Sequence, residues 1–411
     1  MSNRAEKRGL VPKLRFPEFR EAGEWIAMKL NDGCDVNPLN SELPEKFAYI
    51  DLESVEAGEL KARKIINRDE APSRAQRLLR HGDVIFQIVR PYQRNNFHFK
   101  IDGDVYYVAS TGYAQLRANE SADFLFQIVH TDDFVERVIA KCTGSNYPAI
   151  NSSDLADIPI AIPNSAEQHK IADCLASLDE LIALESQKLD TLKTHKKGLM
   201  QQLFPAEGET LPKLRFPEFR DAGEWVEEPL GKLSSYKNGK AYEQDITDNG
   251  KYIVVNSRFI STDGSVRKYT NAEYLIAEAG DVLMVLSDLP KGKALAKCYF
   301  VEVNERYGVN QRVCRLKADR VDAKFLFYIL NRNPHLLAFD DGLSQTHLSK
   351  GSVLECLLYV PQKREEQQRI ADCVTSLDNL ITAQTQQLAV LRTQKKGLMQ
   401  QLFPVLDEVS A

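Results

Sequence analysis

Between residues 171 and 203 the apolar positions fall on an alternating four-three spacing. They are Ile171, Leu175, Leu178, Ile182, Leu189, Leu192, Leu199 and Leu203, and only Glu185 and Lys196 interrupt the series. That period predicts one long amphipathic helix with a heptad seam. Ser165 with Gln168 three residues on reads as a capping box at its start, and no proline intervenes between Pro163 and Pro205. The pattern returns later in Ile370, Val374, Leu377, Ile381, Leu388, Leu391, Leu398 and Leu402, with Gln384 and Lys395 at the same two polar sites. Elsewhere the apolar runs are shorter. Residues 83–89 (DVIFQIV) and 281–286 (DVLMVL) each follow a Gly and read as buried strands, while 124–139 and 324–337 read as amphipathic helices.

These matched seams belong to a tandem repeat. Residues 12–25 (PKLRFPEFREAGEW) and 212–225 (PKLRFPEFRDAGEW) agree at 13 of 14 positions, and residues 167–205 agree with 366–404 at 25 of 39. Between the repeated blocks lie two inserts, roughly 26–162 and 226–361, of similar length but little identity. The expected fold class is therefore mixed α and β (α+β), with two globular domains in tandem and two long antiparallel coiled-coil helices in a pseudo-two-fold arrangement. The expected bounds are a domain at 1–163, a helix at 164–204, a domain at 205–362, a helix at 363–404 and a tail at 405–411. Each seam spans about 50 Å at 1.5 Å per residue, longer than one small domain requires, so the two seams are expected to pack on each other. Burial of each seam against its own insert is the alternative. Because few residues join the first helix to the second repeat, the second helix has to run back along the first, giving a dumbbell with a helical bar.

Composition narrows the function classes. The chain has 411 residues, 43% hydrophobic and 27% charged, which is ordinary globular composition. No apolar run approaches the roughly 20 residues of a membrane span, and residues 1–8 (MSNRAEKR) lack the apolar core of a signal peptide. Seven cysteines without a Cys-x-x-Cys pair fit reduced thiols and a cytoplasmic location. No phosphate loop, nucleophile elbow, zinc-protease or dinucleotide fingerprint occurs, so the chain reads as non-catalytic, with no metal site.

Net charge is −5, so any nucleic-acid binding has to come from local patches. Residues 61–100 hold ten Lys or Arg against three acids, interleaved with Tyr92, Gln93, Asn95, Asn96, Phe97 and Phe99; residues 291–320 hold eight against three. Arg and Lys suit phosphates and guanine edges, and Asn and Gln suit adenine edges. Two unlike heads on one rigid bar could each read one half of a split DNA site. The near-identical frame would present two equivalent surfaces to two copies of one partner.

At this point the residues resemble a known family. The duplicated Leu14-Arg15-Phe16-Pro17-Glu18-Phe19 and Leu214-Arg215-Phe216-Pro217-Glu218-Phe219 openings, the Glu167-Gln168 and Glu366-Gln367 helix starts, and the shared Gly-Leu-Met-Gln-Gln-Leu-Phe-Pro ends are similar to the specificity subunit of type I restriction-modification systems. Residues 81–84 and 279–282 look like that family's Gly-Asp turn, and residues 144–150 and 342–348 like its late DNA-facing loop. The resemblance implies that each insert is a target recognition domain on double-stranded DNA and that the helices are spacers. It also implies that two methyltransferase subunits carry S-adenosylmethionine and methylate adenine N6, and that endonuclease/translocase subunits use ATP and Mg. The linker 204–212 departs from relatives in which a short internal repeat sets the spacer length. Expected DNA contacts are Arg74, Arg77, Arg80, Arg90, Tyr92, Arg94, Asn95, Asn96, Ser145, Asn146 and Tyr147 for one half-site, and Arg258, Lys291, Lys293, Arg312, Ser344, Gln345 and Thr346 for the other. The rival readings are a bivalent protein-binding coiled-coil scaffold without DNA affinity, and an enzyme with an unfamiliar site.

Overall fold

The computed structural model describes residues 10–40, 42–56, 58–289 and 292–406. The chain divides into two compact units, Met1–Gln187 with Thr385–Ala411, and Lys188–Gln384. The division falls in the middle of each long helix, Ser165–Leu203 and Arg364–Leu402. Each unit therefore owns the first half of one helix and the second half of the other.

In the first unit, a short antiparallel pair, Ile26–Lys29 with Pro159–Ile162, closes the domain where the long helix begins. Above it stand two four-stranded sheets. One orders Lys64–Asn67, Lys46–Ile50, Tyr107–Ser110 and Ala75–Leu78; the other orders Cys34–Val36, Tyr113–Ala118, Val84–Gln87 and Phe97–His98. The apolar run at 83–89 is thus a strand inside its sheet, with every residue of Val84–Gln87 buried, as a continuous apolar run on two covered faces requires. The stretch read as one helix over 124–139 is two, Ala122–Ile128 and Asp132–Ala140, because Thr131 caps a second start by accepting from the Phe134 amide.

The second unit repeats this plan. Val226–Pro229 pairs with Leu357–Val360, and Val282–Val285 lies between Val313–Ala318 and Cys298–Phe300. Helices Ala323–Leu330 and Pro334–Leu337 follow.

The seam residues serve two purposes. Ile171 and Leu175 enter the core of the first domain beside Trp25, Phe124 and Leu155, so the start of the helix packs on its own insert. Leu402 and Phe403, from the end of the second helix, join that same core, with Leu398 packed against it. The second unit mirrors this: Ile370, Val374 and Leu203 share a core with Trp225 and Phe325, and Leu199 packs against it. Leu189 and Leu388 are also buried, whereas Leu178, Ile182, Leu192, Leu377, Ile381 and Leu391 are half-buried. At the ends, therefore, seam residues of both helices meet inside a domain core and not in a coil of helices alone.

Within each unit the helix halves run antiparallel, since residues 171–175 share a core with residue 402 while Asp179 meets Lys395. The lysines that interrupt the seams are ion-paired: Lys395 Nζ lies 2.5 Å from Asp179 Oδ1 in the first unit, and Lys196 pairs with Asp378 in the second. The helix start is also corrected. Asn164, not Ser165, caps it, its Oδ1 accepting the Glu167 amide at 3.0 Å, while the Gln168 side chain donates to the Pro163 carbonyl.

Candidate nucleic-acid interface

The repeated openings form a clamp at the base of each domain. Arg15 donates through Nε and Nη2 to the two oxygens of Glu167 at 2.7 and 2.6 Å, and through Nη1 to the Gly23 carbonyl. The Trp25 indole N–H also points at Glu167. Arg215, Glu366, Gly223 and Trp225 repeat the arrangement at 2.7, 2.8, 2.6 and 3.2 Å. Hydrogen bonding to the carboxylate raises the pKa of each arginine, so both remain charged. The clamp was not foreseen, although an Arg and a Glu duplicated in step were its signal.

The turns at Gly82-Asp83 and Gly280-Asp281 differ beneath the surface. Gly82 takes φ +90°, and buried Asp83 accepts from the Arg80 amide, Gln115 Nε2 and both Nε and Nη2 of Arg117. Asp281 accepts from the Glu278 amide and has Arg315 at 3.5 Å, but its Oδ1 has no partner and burial pushes its pKa up.

In the first unit, two loops far apart in sequence are zipped together. Val89 bridges Ala149, the Arg90 amide donates to the Pro148 carbonyl at 2.7 Å, and the Ile150 amide to the Ile88 carbonyl. The Arg90 guanidinium carbon lies 4.2 Å from the centroid of the Tyr147 ring. Arg90 and Arg94 both adopt the left-handed backbone region, with φ of 56° and 55°, around the short turn Pro91–Gln93. Such conformations in residues other than glycine are strained and gather at functional sites. Buried Gln87 holds the turn in place, accepting the Asn95 amide on its side chain and donating to the Gln93 side chain. The result is a cleft of about 540 Å³ lined by Gln87, Arg90, Gln93, Asn95 and Tyr147, with Glu53, Glu56 and Lys61 also on its wall.

Of the expected contacts, Arg90, Asn95 and Tyr147 are brought together here, with Ser145 and Asn146 exposed on the adjoining loop and Tyr92 exposed on the turn. Gln87, Glu53 and Glu56 were missed, because a glutamine inside an apolar strand and acids outside a basic run carry no local signal. Arg74, Arg77 and Arg80 do not line the cleft; Arg74 and Arg80 are exposed, and Arg77 is half-buried on the strand Ala75–Leu78, where burial lowers its pKa. One expected contact is corrected outright, and a second is engaged within the protein. Asn96 is fully buried, its Oδ1 accepting the Gln87 amide, and Arg94 is spent on Asp132 Oδ1 at 2.6 Å and the His130 carbonyl.

The second unit builds the same zipper. Ser287 pairs with His347, Asp288 with Thr346, and the Leu348 amide donates to the Leu286 carbonyl. By this register Asp288 and Gln345 occupy the places of Arg90 and Tyr147. Asp288 turns inward, accepting the amides of Leu289, Ala294 and Leu295, while exposed Gln345 donates to Ser287 Oγ at 2.9 Å. Ser344 is exposed and bonded to Asp341, but Thr346 is buried against Asp340, a further correction. Arg258, Lys293 and Arg312 are exposed; Lys291 lies outside the described residues.

Each unit also carries a cleft where a helix end meets its domain. That of the first unit, about 600 Å³, includes Lys13, Lys395, Lys396, Met399, Gln400 and Phe403. That of the second, about 970 Å³, includes the matching Lys213, Lys196, Lys197, Met200, Gln201 and Phe204.

Two tandem mixed α/β domains, strapped by identical clamps to a shared pair of helices and presenting the same loop zipper with unlike side chains, define a bipartite recognition protein. A family model described as type I restriction modification DNA specificity domain matches residues 25–194 and 222–393, and the chain belongs to that family. It is 26% identical over 279 residues to the type I restriction enzyme MjaVIII specificity subunit of Methanocaldococcus jannaschii, an alignment covering 63% of this chain and 64% of that relative. It is also 26% identical over 147 residues to the HindI specificity subunit of Haemophilus influenzae, covering 34% of this chain and 32% of that one. In fold it is similar to the crystal structure of a type I restriction-modification S subunit from M. genitalium, with TM-score 0.61, 17% identity and coverage of 97% and 100% of the two chains.

Proposed function

We propose that the chain is the DNA-reading subunit of a type I restriction-modification complex in a bacterial or archaeal cytoplasm. Each unit reads one half of a split, asymmetric site on double-stranded DNA. The observation that carries this reading is the loop zipper: one backbone arrangement in both units, held by backbone bonds between the two loops, with Arg90 and Tyr147 in one and Asp288 and Gln345 in the other. A common scaffold with exchanged side chains is how one reading geometry is directed to two base sequences. The matched clefts with their lysine pairs and apolar floors support docking of two copies of one partner. Those partners are methyltransferase subunits that supply S-adenosylmethionine and methylate adenine N6, joined by endonuclease/translocase subunits that use ATP and Mg. The chain itself performs no chemistry.

The test is methylome sequencing of a methylation-free host that expresses the chain with the methyltransferase subunit encoded beside it. N6-methyladenine in a split, asymmetric motif is the expected result. A purified complex of the two proteins that leaves the genome unmethylated would refute the proposal and favour a bivalent protein scaffold.

A further inference from the structure

Resting on the DNA-reading function proposed above, we infer that Arg90, held over the Tyr147 ring, reads the O6 and N7 edge of one guanine, in one half-site only. The Arg90 side chain has no hydrogen-bond partner among the described residues, and its Nε is buried without one. A buried donor left unpaired is costly unless a ligand completes it. Stacking over an aromatic face fixes the guanidinium while leaving its N–H edges free, which is the geometry that two parallel bonds to guanine require. The strained backbone at residue 90 and its amide bond to Pro148 aim the side chain from a fixed point.

The charge of the cleft selects a base edge over the phosphate backbone. Glu53 and Glu56 offset Arg90 and Lys61 there, so the cleft has no surplus of positive charge to attract phosphate, and Lys61 is itself paired with Glu59. A guanine edge is neutral and accepts at both atoms, and a carboxylate suits the amino group of the cytosine opposite. In the second unit the matched positions hold an inward-turned Asp288 and Gln345, so the guanidinium contact has no counterpart there.

The experiment compares methylomes directed by the full chain with its methyltransferase partner for wild type, Arg90→Gln, Arg90→Lys and Tyr147→Phe, with urea midpoints confirming that each variant folds. The expected wild-type motif contains a guanine in one half-site. Arg90→Gln and Arg90→Lys both relax that position, or lower methylation at guanine-containing sites by about tenfold or more, with the other half-site unchanged. Tyr147→Phe keeps the motif. A uniform loss across sequences that Arg90→Lys restores would mark a phosphate contact and overturn the inference, as would unchanged methylation in Arg90→Gln. A wild-type motif whose half-sites both lack guanine would overturn this inference while leaving the proposed function intact. A wild-type chain that directs no methylation and binds no duplex would overturn both.

Discussion

Removing Arg15 tests whether the frame holds the reading domain to the helix. Arg15→Ala strips three charge-assisted bonds at once, two to Glu167 and one to Gly23. The Glu167 carboxylate, 1% exposed, would keep only the Trp25 N–H at 3.4 Å and its place in the first turn of the helix. Breaking a buried pair by deleting one partner costs about 3–5 kcal/mol, because an uncompensated charge remains. The helix N-terminus returns roughly 0.5–1 kcal/mol of that to a carboxylate placed there. A net loss of about 3 kcal/mol follows, which at a urea dependence of about 3 kcal/mol per molar moves the midpoint down by roughly 1 M. The chain has two tryptophans, one in each clamp, so a Trp225→Phe background leaves Trp25 fluorescence as a probe of the first clamp alone. The double variant Arg15→Met with Glu167→Met removes both charges and is expected to lose less than Arg15→Ala. An Arg15→Ala midpoint within 0.2 M of its background (roughly the fitting error of such transitions), or a double variant less stable than the single, would refute the account.

Three further outcomes follow from the geometry. Arg94→Ala should leave the methylation motif unchanged and cost roughly 1 kcal/mol, since Arg94 braces Asp132 in a partly exposed pair; a changed motif would return Arg94 to the reading surface. Asp83→Asn should cost about 2–3 kcal/mol, because four donors converge on that carboxylate, whereas Asp281→Asn should stay within about 1 kcal/mol at neutral pH. The sign is set by burial raising the Asp281 pKa: its neutral form is favoured in the fold, so the stability it confers is present at low pH and lost as pH rises through the raised value, and asparagine mimics that neutral acid. Burial, the largest cause, lowers His98 and His130 to about 4, so the unfolded chain binds more protons between about pH 6.5 and 4. Stability should be complete above pH 6.5 and fall through that window, by at most about 3 kcal/mol for each group; a urea midpoint whose pH slope is unaltered in His130→Gln would refute this for His130.

The long helices were legible because a heptad period is a local property, written in residues 171–203 and 370–402 themselves. What the seam touches was not, since a period reports that a face is buried and not against what. Ile171 and Leu402 therefore read as neighbours along a coil and turned out to share the core of a domain with Trp25. The same limit governs the reading surface. Arg90, Arg94 and Asn96 sit in one basic, amide-rich run, but only the fold decides that Arg90 faces a cleft while Asn96 accepts a strand amide in the interior. Gln87 stayed hidden because its neighbours made it look like a core position, and in part it is one. The cap lies one residue earlier than the sequence suggests, since Asn164 and Ser165 are both good caps and only the fold shows that the Asn164 side chain takes the Glu167 amide.

The pattern of identity and difference between the two units follows from what each residue has to satisfy. Arg15, Trp25 and Glu167 close a buried polar network in which no member can change alone without stranding another, and Arg215, Trp225 and Glu366 answer them atom for atom. Asp179 with Lys395 and Asp378 with Lys196 are bound by the same reciprocity across helices. The zipper is fixed differently, through backbone bonds between Ile88–Arg90 and Pro148–Ile150, and between Leu286–Asp288 and Thr346–Leu348. Backbone bonds ask nothing of the side chains they position. Arg90 gives way to Asp288 and Tyr147 to Gln345 while the same backbone pairing persists, so side chains differ between the units at the zipper where the clamp residues do not, and the guanine contact inferred for Arg90 has no counterpart at the matched positions.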